Sequence, residues 1–180
     1  MAARRPASDR PAPSCVLAIE NAQRCRRISR AGLERFTQQV VAHLGRDTDL
    51  VIHLISSRRM ATLNQQYLQH EGSTDILTFD LGSTAARIQG ELYISLPDAV
   101  RQADEFGTDW PQELGRYVIH GLLHLCGYDD LAAGPRRIMK REEDRLVRLL
   151  DAEVGCASLA GPHPTRVRRT PSRRPAPPHG

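Results

Sequence analysis

No apolar run in this 180-residue chain approaches the roughly 18 residues that a membrane-crossing helix needs, and the opening Met-Ala-Ala-Arg-Arg-Pro is followed by no apolar signal-like segment. A cytoplasmic protein with no membrane partner is expected. Aromatic residues are scarce, three Phe, four Tyr and one Trp, so the core must be mostly aliphatic and stacking on nucleobases has few candidates. The four cysteines, Cys15, Cys25, Cys126 and Cys156, form no C-x-x-C pair. That excludes a cysteine zinc knuckle and gives no sign of a disulfide framework, so they read as reduced thiols, Cys126 as a small apolar filler. Missing as well are an internal repeat, a Gly-rich phosphate loop and a G-x-S-x-G elbow.

Charge has to be divided along the chain before it means anything. The net +4 and the pI of 9.2 come from the ends. Residues 15 to 155 hold 17 Lys and Arg against 20 Asp and Glu, a net of −3, whereas the two ends carry +7. Both ends are rich in Arg, Pro, Ala and Ser and too poor in apolar residues to offset the entropy of ordering. The expected organisation is therefore a disordered basic extension over 1–14, one domain over 15–152, and a disordered Arg/Pro-rich tail over 153–180. A basic tail can add non-specific attraction to RNA, though a solvated extension is the simpler reading.

Within the domain the pattern is α+β. Residues 15 to 20 read as a strand, and Ser29 caps a helix whose Leu33, Phe36, Val40, Val41 and Leu44 share one face before Gly45. Asp49 to Ser56 reads as a strand and a helix through Met60, Leu63 and Tyr67 follows it. Asp75–Leu81 and Ile88–Ile94 form a hairpin about Gly82-Ser-Thr. Ser95 caps the next helix, Asp109-Trp-Pro111 opens another, and Pro135 begins the last, to about Leu150. The predicted order is βαβαββααα, a small mixed four-stranded sheet with about five helices.

The chemistry concentrates in His120-Gly-Leu-Leu-His124-Leu-Cys-Gly127-Tyr-Asp129-Asp130. Histidines at i and i+4 stack on one helix face, so both rings can aim at a point about 2 Å away. Gly127 suits the left-handed position that ends a helix and lets Asp130 return a carboxylate. Three protein ligands leave a fourth coordination place for water, the arrangement of catalytic rather than structural zinc sites. Leu122, Leu123 and Leu125 predict a helix buried on most sides, where imidazoles need partners. The metalloprotease pattern H-E-x-x-H requires a glutamate where this chain has Gly121, which disfavours peptide hydrolysis.

Three ordered stretches, Ser73-Thr-Asp75-Ile-Leu-Thr-Phe79, Gly90-Glu91-Leu-Tyr-Ile94-Ser95 and Val118-Ile-His120 through Asp129, resemble the hallmark motifs of the YbeY family. The resemblance spans roughly residues 15 to 152, including Asn64, Tyr67, Met139, Glu142 and Glu143. It implies a metal-dependent endoribonuclease of single-stranded RNA acting in maturation of the small-subunit rRNA and in ribosome quality control. The small ribosomal subunit and its proteins would be partners, with one zinc per chain. The implied ligands are His120, His124 and Asp130, with Asp129 supporting them from outside. Two positions depart from the family: Asp130 stands where most members have a third histidine, and Leu68 where most have an arginine after the tyrosine. An aspartate still ligates zinc, but adds negative charge and makes the ion less electrophilic. For the missing arginine, Arg58, Arg59 and His70 are nearby substitutes.

The expected reaction is metal-assisted phosphodiester cleavage, with His120, His124 and Asp130 catalytic through the water their ion activates. Asp75 is a possible helper whose commoner role is to cap a strand start. Tyr128 is the candidate for base stacking. Basic clusters at Arg24, Arg26, Arg27 and Arg30 and at Arg136, Arg137, Lys140 and Arg141 are candidate RNA contacts that can equally be solvated faces. Two other readings stand beside this one: a metal-dependent hydrolase of another substrate, and a ribosome-assembly factor whose metal is structural.

Overall fold

The computed structural model describes residues 14–68 and 74–162, the side chain of Leu68 excepted. The chain runs β1 (Cys15–Asn21), α1 (Arg30–Leu44), β2 (Asp47–Ile55), α2 (Ser57–Leu68), β3 (Ile76–Asp80), β4 (Arg87–Ser95), α3 (Leu96–Phe106), α4 (Trp110–Leu125) and α5 (Ala133–Glu153), and then a short 3₁₀ turn, Cys156–Leu159. The predicted α+β class and element order hold. One four-stranded sheet has the order β1-β2-β4-β3. The first three strands are parallel and β3 pairs antiparallel to β4, as the hairpin reading required.

Strand alternation separates the two faces of the sheet. Leu50, Ile52 and Leu54 of β2 and Ile88, Leu92 and Ile94 of β4 point one way and are almost fully buried. Against them pack α1, α4 and α5 through Leu33, Phe36, Val40, Val118, Leu122, Leu146 and Leu150. On the opposite face α2 covers a smaller cluster of Ile55, Met60, Leu63 and Leu77, flanked by Phe79 and Tyr93. Helix α1 begins and ends as its sequence dictates: the Ser29 hydroxyl accepts from the Gly32 amide, and Gly45 closes it at φ 66°. Ser95 precedes α3, but its hydroxyl bonds Asp98 rather than a backbone amide.

Helix α4 lies across the middle of the core and antiparallel to β4. A Cβ on Gly121 would sit 2.5 Å from Leu92 Cδ2, and one on Gly90 would sit 2.7 Å from Leu125 Cδ2 and 2.5 Å from the Phe79 carbonyl oxygen. The two glycines let helix and sheet approach this closely.

The folded unit does not end at 152. Helix α5 continues to Glu153, and Cys156 and Leu159 then bury in the main core. The Ser29 amide donates to the Leu159 carbonyl at 2.9 Å, and Ile28 bridges Ala160. Two apolar residues three apart are enough to dock one turn against α1 and α4, whereas the composition of the whole 153–180 segment hides them among Pro and Arg. All four cysteines are free, and Cys156 is a core residue. Truncating the fully buried Leu159 to Ala should cost about 2–5 kcal/mol of unfolding free energy, read from the midpoint of a urea titration. A shift near zero would mean that the turn is not part of the core.

Candidate metal centre

Helix α4 is buried along nearly its whole length, and His120 and His124 occupy its one partly open face. Each imidazole is held by its Nδ1. His120 Nδ1 lies 3.0 Å from Glu143 Oε2, and His124 Nδ1 lies 3.1 Å from the Tyr128 carbonyl oxygen. An acceptor at each Nδ1 makes that nitrogen the N–H donor, so each ring in its neutral form turns the Nε2 lone pair toward the other. Those two Nε2 atoms face each other at 3.0 Å. Two lone pairs so placed repel unless a positive charge sits beside them. Asp130 Oδ2 lies 3.8 Å from the first and 3.7 Å from the second. Donors of a tetrahedral zinc stand about 3.3–3.6 Å apart, so small side-chain adjustments fit this set to an ion. The three residues present ligand atoms all within 4.8 Å of one another.

The turn after α4 brings Asp130 back. Gly127 takes φ 89°, and the Tyr128 amide returns to the Leu123 carbonyl at 3.0 Å. Asp129 accepts the Leu131 amide at 3.0 Å, and Arg136 donates to the carbonyls of Asp130 at 2.7 Å and Leu131 at 3.2 Å. Asp129 builds the turn while Asp130 faces the histidines.

Behind His120 sits a charged network that spacing rules alone do not reveal. Glu143 accepts from Arg116 Nη1 at 2.8 Å and from Lys140 Nζ at 2.9 Å, and Asp144 shares both cations. Burial pushes the Glu143 carboxyl up, but hydrogen bonds from His120, Arg116 and Lys140 outweigh it and bring it down to about 2. A permanently ionised carboxylate thus backs the imidazole and raises its strength as a ligand. Arg116 stands one turn before His120 on the same face, which is the only sequence signal for it. Glu143 reaches the site through the packing of α5 on α4.

The histidines open onto a cleft of about 450 Å³ between α4 and β3. Asp75, Thr78 and Asp80 line one wall and His120, His124 and Asp130 the other, and among the described residues no Lys or Arg lines either. Asp75 does cap the strand start, accepting from the Ile76 amide at 3.2 Å, and Gln102 of α3 also donates to it at 3.3 Å. Burial and the charges of Asp75 and Glu113 push the Tyr117 phenol upward, so it stays neutral. The region is acidic, suited to a cation and unsuited to a bare phosphate.

Other sequence candidates fall outside the cleft. Arg58 and Arg59 are exposed at the start of α2 and do not line it. The Tyr128 ring packs against the core, and the residue serves the centre through its carbonyl. His70 lies outside the described residues, as does the Leu68 side chain. Lys140 and Arg136 of the second basic cluster are engaged by internal partners. Position 121 faces the sheet, so a protease-type glutamate there would have to enter the space of Leu92.

Glu143→Gln should weaken metal binding by about 10–100-fold, measured by competition with a chromogenic chelator. Its folded pKa lies below the ordinary 4.5, so the stability it contributes is present above pH 4.5 and lost as pH falls toward 2. Acid unfolding of the wild type should steepen across that window, and the Gln variant should lose that component.

The chain has relatives among known proteins. The family model described as endoribonuclease YbeY matches residues 18–151. A protein of Parabacteroides distasonis named endoribonuclease YbeY is 38% identical over 127 residues, 70% of this chain and 89% of that one. Its namesake in Chlorobium luteolum is 37% identical over 135 residues, 74% and 97% of the two chains. The solution structure of TM1509 from Thermotoga maritima superposes with a TM-score of 0.54 at 26% identity, covering 77% of this chain and 91% of that one. With a family match spanning residues 18–151 and relatives this similar over most of their length, the chain belongs to the endoribonuclease YbeY family.

Proposed function

We propose that this chain is a zinc-dependent endoribonuclease of single-stranded RNA that matures the 3′ end of the small-subunit rRNA precursor and takes part in ribosome quality control. Its partners are then the small ribosomal subunit and its proteins, and its place is the cytoplasm. No helix among the described residues is long and apolar enough to cross a membrane. The observation that carries the reading is the pair of Nε2 atoms facing each other at 3.0 Å beside Asp130, in a cleft that no Lys or Arg lines among the described residues. A cleft lined by three carboxylates can accept a phosphodiester only if a cation bridges the two.

His120, His124 and Asp130 hold the ion, one per chain. Bound there, zinc supplies Lewis-acid stabilisation of the charge that develops on the phosphate. The residues around it divide the remaining work. Glu143 fixes the His120 ring and tautomer, and the Tyr128 carbonyl does the same for His124. Asp75 is held by Gln102 on the opposite wall and serves as proton acceptor for the attacking oxygen. Arg58 and Arg59, exposed on α2, contact RNA flanking the cut rather than the scissile phosphate.

Purified full-length protein should contain about one zinc per chain and should cut a single-stranded RNA. Chelation should abolish cutting and added zinc restore it, and His124→Ala should reduce it by at least about 100-fold. Full cleavage by His124→Ala would reject the metalloenzyme. If the chelated protein stays folded and still binds the small subunit but no longer cuts, the ion is not merely structural. Asp130→His should raise the rate, because a neutral ligand leaves the ion more electrophilic.

A further inference from the structure

We infer that single-stranded RNA is held at a second surface, on the sheet edge remote from the metal centre, by Arg24, Arg26 and Arg27 around the indole of Trp110. The inference rests on the RNA-cleaving reading and adds where the substrate's affinity comes from. Among the described residues no Lys or Arg lines the catalytic cleft, which points to other surfaces for phosphate contacts.

The loop after β1 is built to present charge. Gln23 is buried and holds the loop from inside: its Nε2 donates to Asn21 Oδ1 at 3.0 Å and to the Arg26 carbonyl at 2.9 Å, while its Oε1 accepts from the Cys25 amide at 2.8 Å and the Arg26 amide at 3.2 Å. The three arginines flanking this knot are exposed. Elsewhere, Arg30 pairs with Glu34 at 3.0 Å, Arg101 with Glu105 at 2.8 Å and Arg145 with Glu142 at 2.6 Å. Among the described residues no carboxylate pairs with Arg24, Arg26 or Arg27, and the one guanidinium contact is from Arg26 to the Cys25 carbonyl. Like-charged, unpaired guanidiniums on a pre-ordered loop repel one another unless an anion joins them.

Two adjoining hollows, of about 560 and 520 Å³, open between this loop and the chain at Gly161-Pro162. Both include Arg26 and Arg27, neither includes an acid, and Trp110 forms a wall of the second. The indole is part-buried against the core, so its ring is held in the hollow it shares with Arg26 and Arg27. A fixed aromatic ring beside guanidiniums is what a base stacked next to its own phosphate requires, and it serves any base. The Gly161 amide donates to the Arg27 carbonyl at 2.8 Å, which brings the C-terminal segment to the same place. Beyond Pro162 the sequence adds Arg166, Arg168, Arg169, Arg173 and Arg174 and no acid.

Trp110 is the only tryptophan in the chain, so its fluorescence reports on this surface alone. The probe is a single-stranded RNA of about 12 nucleotides, titrated into full-length, chelator-treated His124→Ala protein so that cutting is suppressed during the titration. Binding should quench Trp110. Adding Arg24→Gln, Arg26→Gln and Arg27→Gln should weaken binding about tenfold or more and lower the slope of log K against log salt by about 2. An unquenched Trp110, or an unchanged affinity and slope in the triple variant, overturns the inference. Wild-type cleavage is assayed separately: cutting that persists while Trp110 stays silent sinks this surface and leaves the nuclease standing.

Discussion

Everything at the candidate centre depends on how closely α4 lies on the sheet. Gly121 and Gly90 remove two side chains from the contact, and Leu92 and Leu125 take their places. With the sheet below and α1, α3 and α5 around it, the helix has one stripe left that reaches solvent. His120 and His124 are on that stripe. Apolar packing decides which face of the helix can do chemistry, and the same packing removes position 121 from it. The absence of a glutamate there is thus a steric consequence of the helix–sheet contact as much as a chemical difference from metalloproteases.

Electrostatics then sets what that face can hold. Three carboxylates in one cleft and a buried glutamate behind one imidazole make the site favour a cation. The same arrangement makes it a poor anion site by itself. Arg116 and Lys140 offset the buried charge of Glu143, so a group that would be costly alone becomes a fixed dipole partner for the ligand. Asp130 adds a negative charge beside the two imidazoles.

Local patterns were legible where the interaction that makes them is local. The Ser29 cap, the Gly45 and Gly127 turns, the β3–β4 hairpin and the one-turn spacing of His120 and His124 all arise within a few residues of each other. The motifs in their order carried the family. Reading broke down where partners are distant in sequence. Glu143 and Arg116 meet across α4 and α5, 27 residues apart. Cys156 and Leu159 were hidden by the composition around them. Tyr128, three residues beyond α4, is turned toward the core by the same glycine turn that brings Asp130 back, so its carbonyl rather than its ring meets His124.

The sequence by itself determined the α+β order, the ligand types and their spacing, because each is a property of short segments and their periodicity. Only the tertiary structure decided that Asp130 faces both histidines, that Glu143 backs His120, and that Cys156 and Leu159 join the core. Those outcomes depend on the angles and distances between whole elements, set by the burial of many side chains together and carried by no single stretch of the chain.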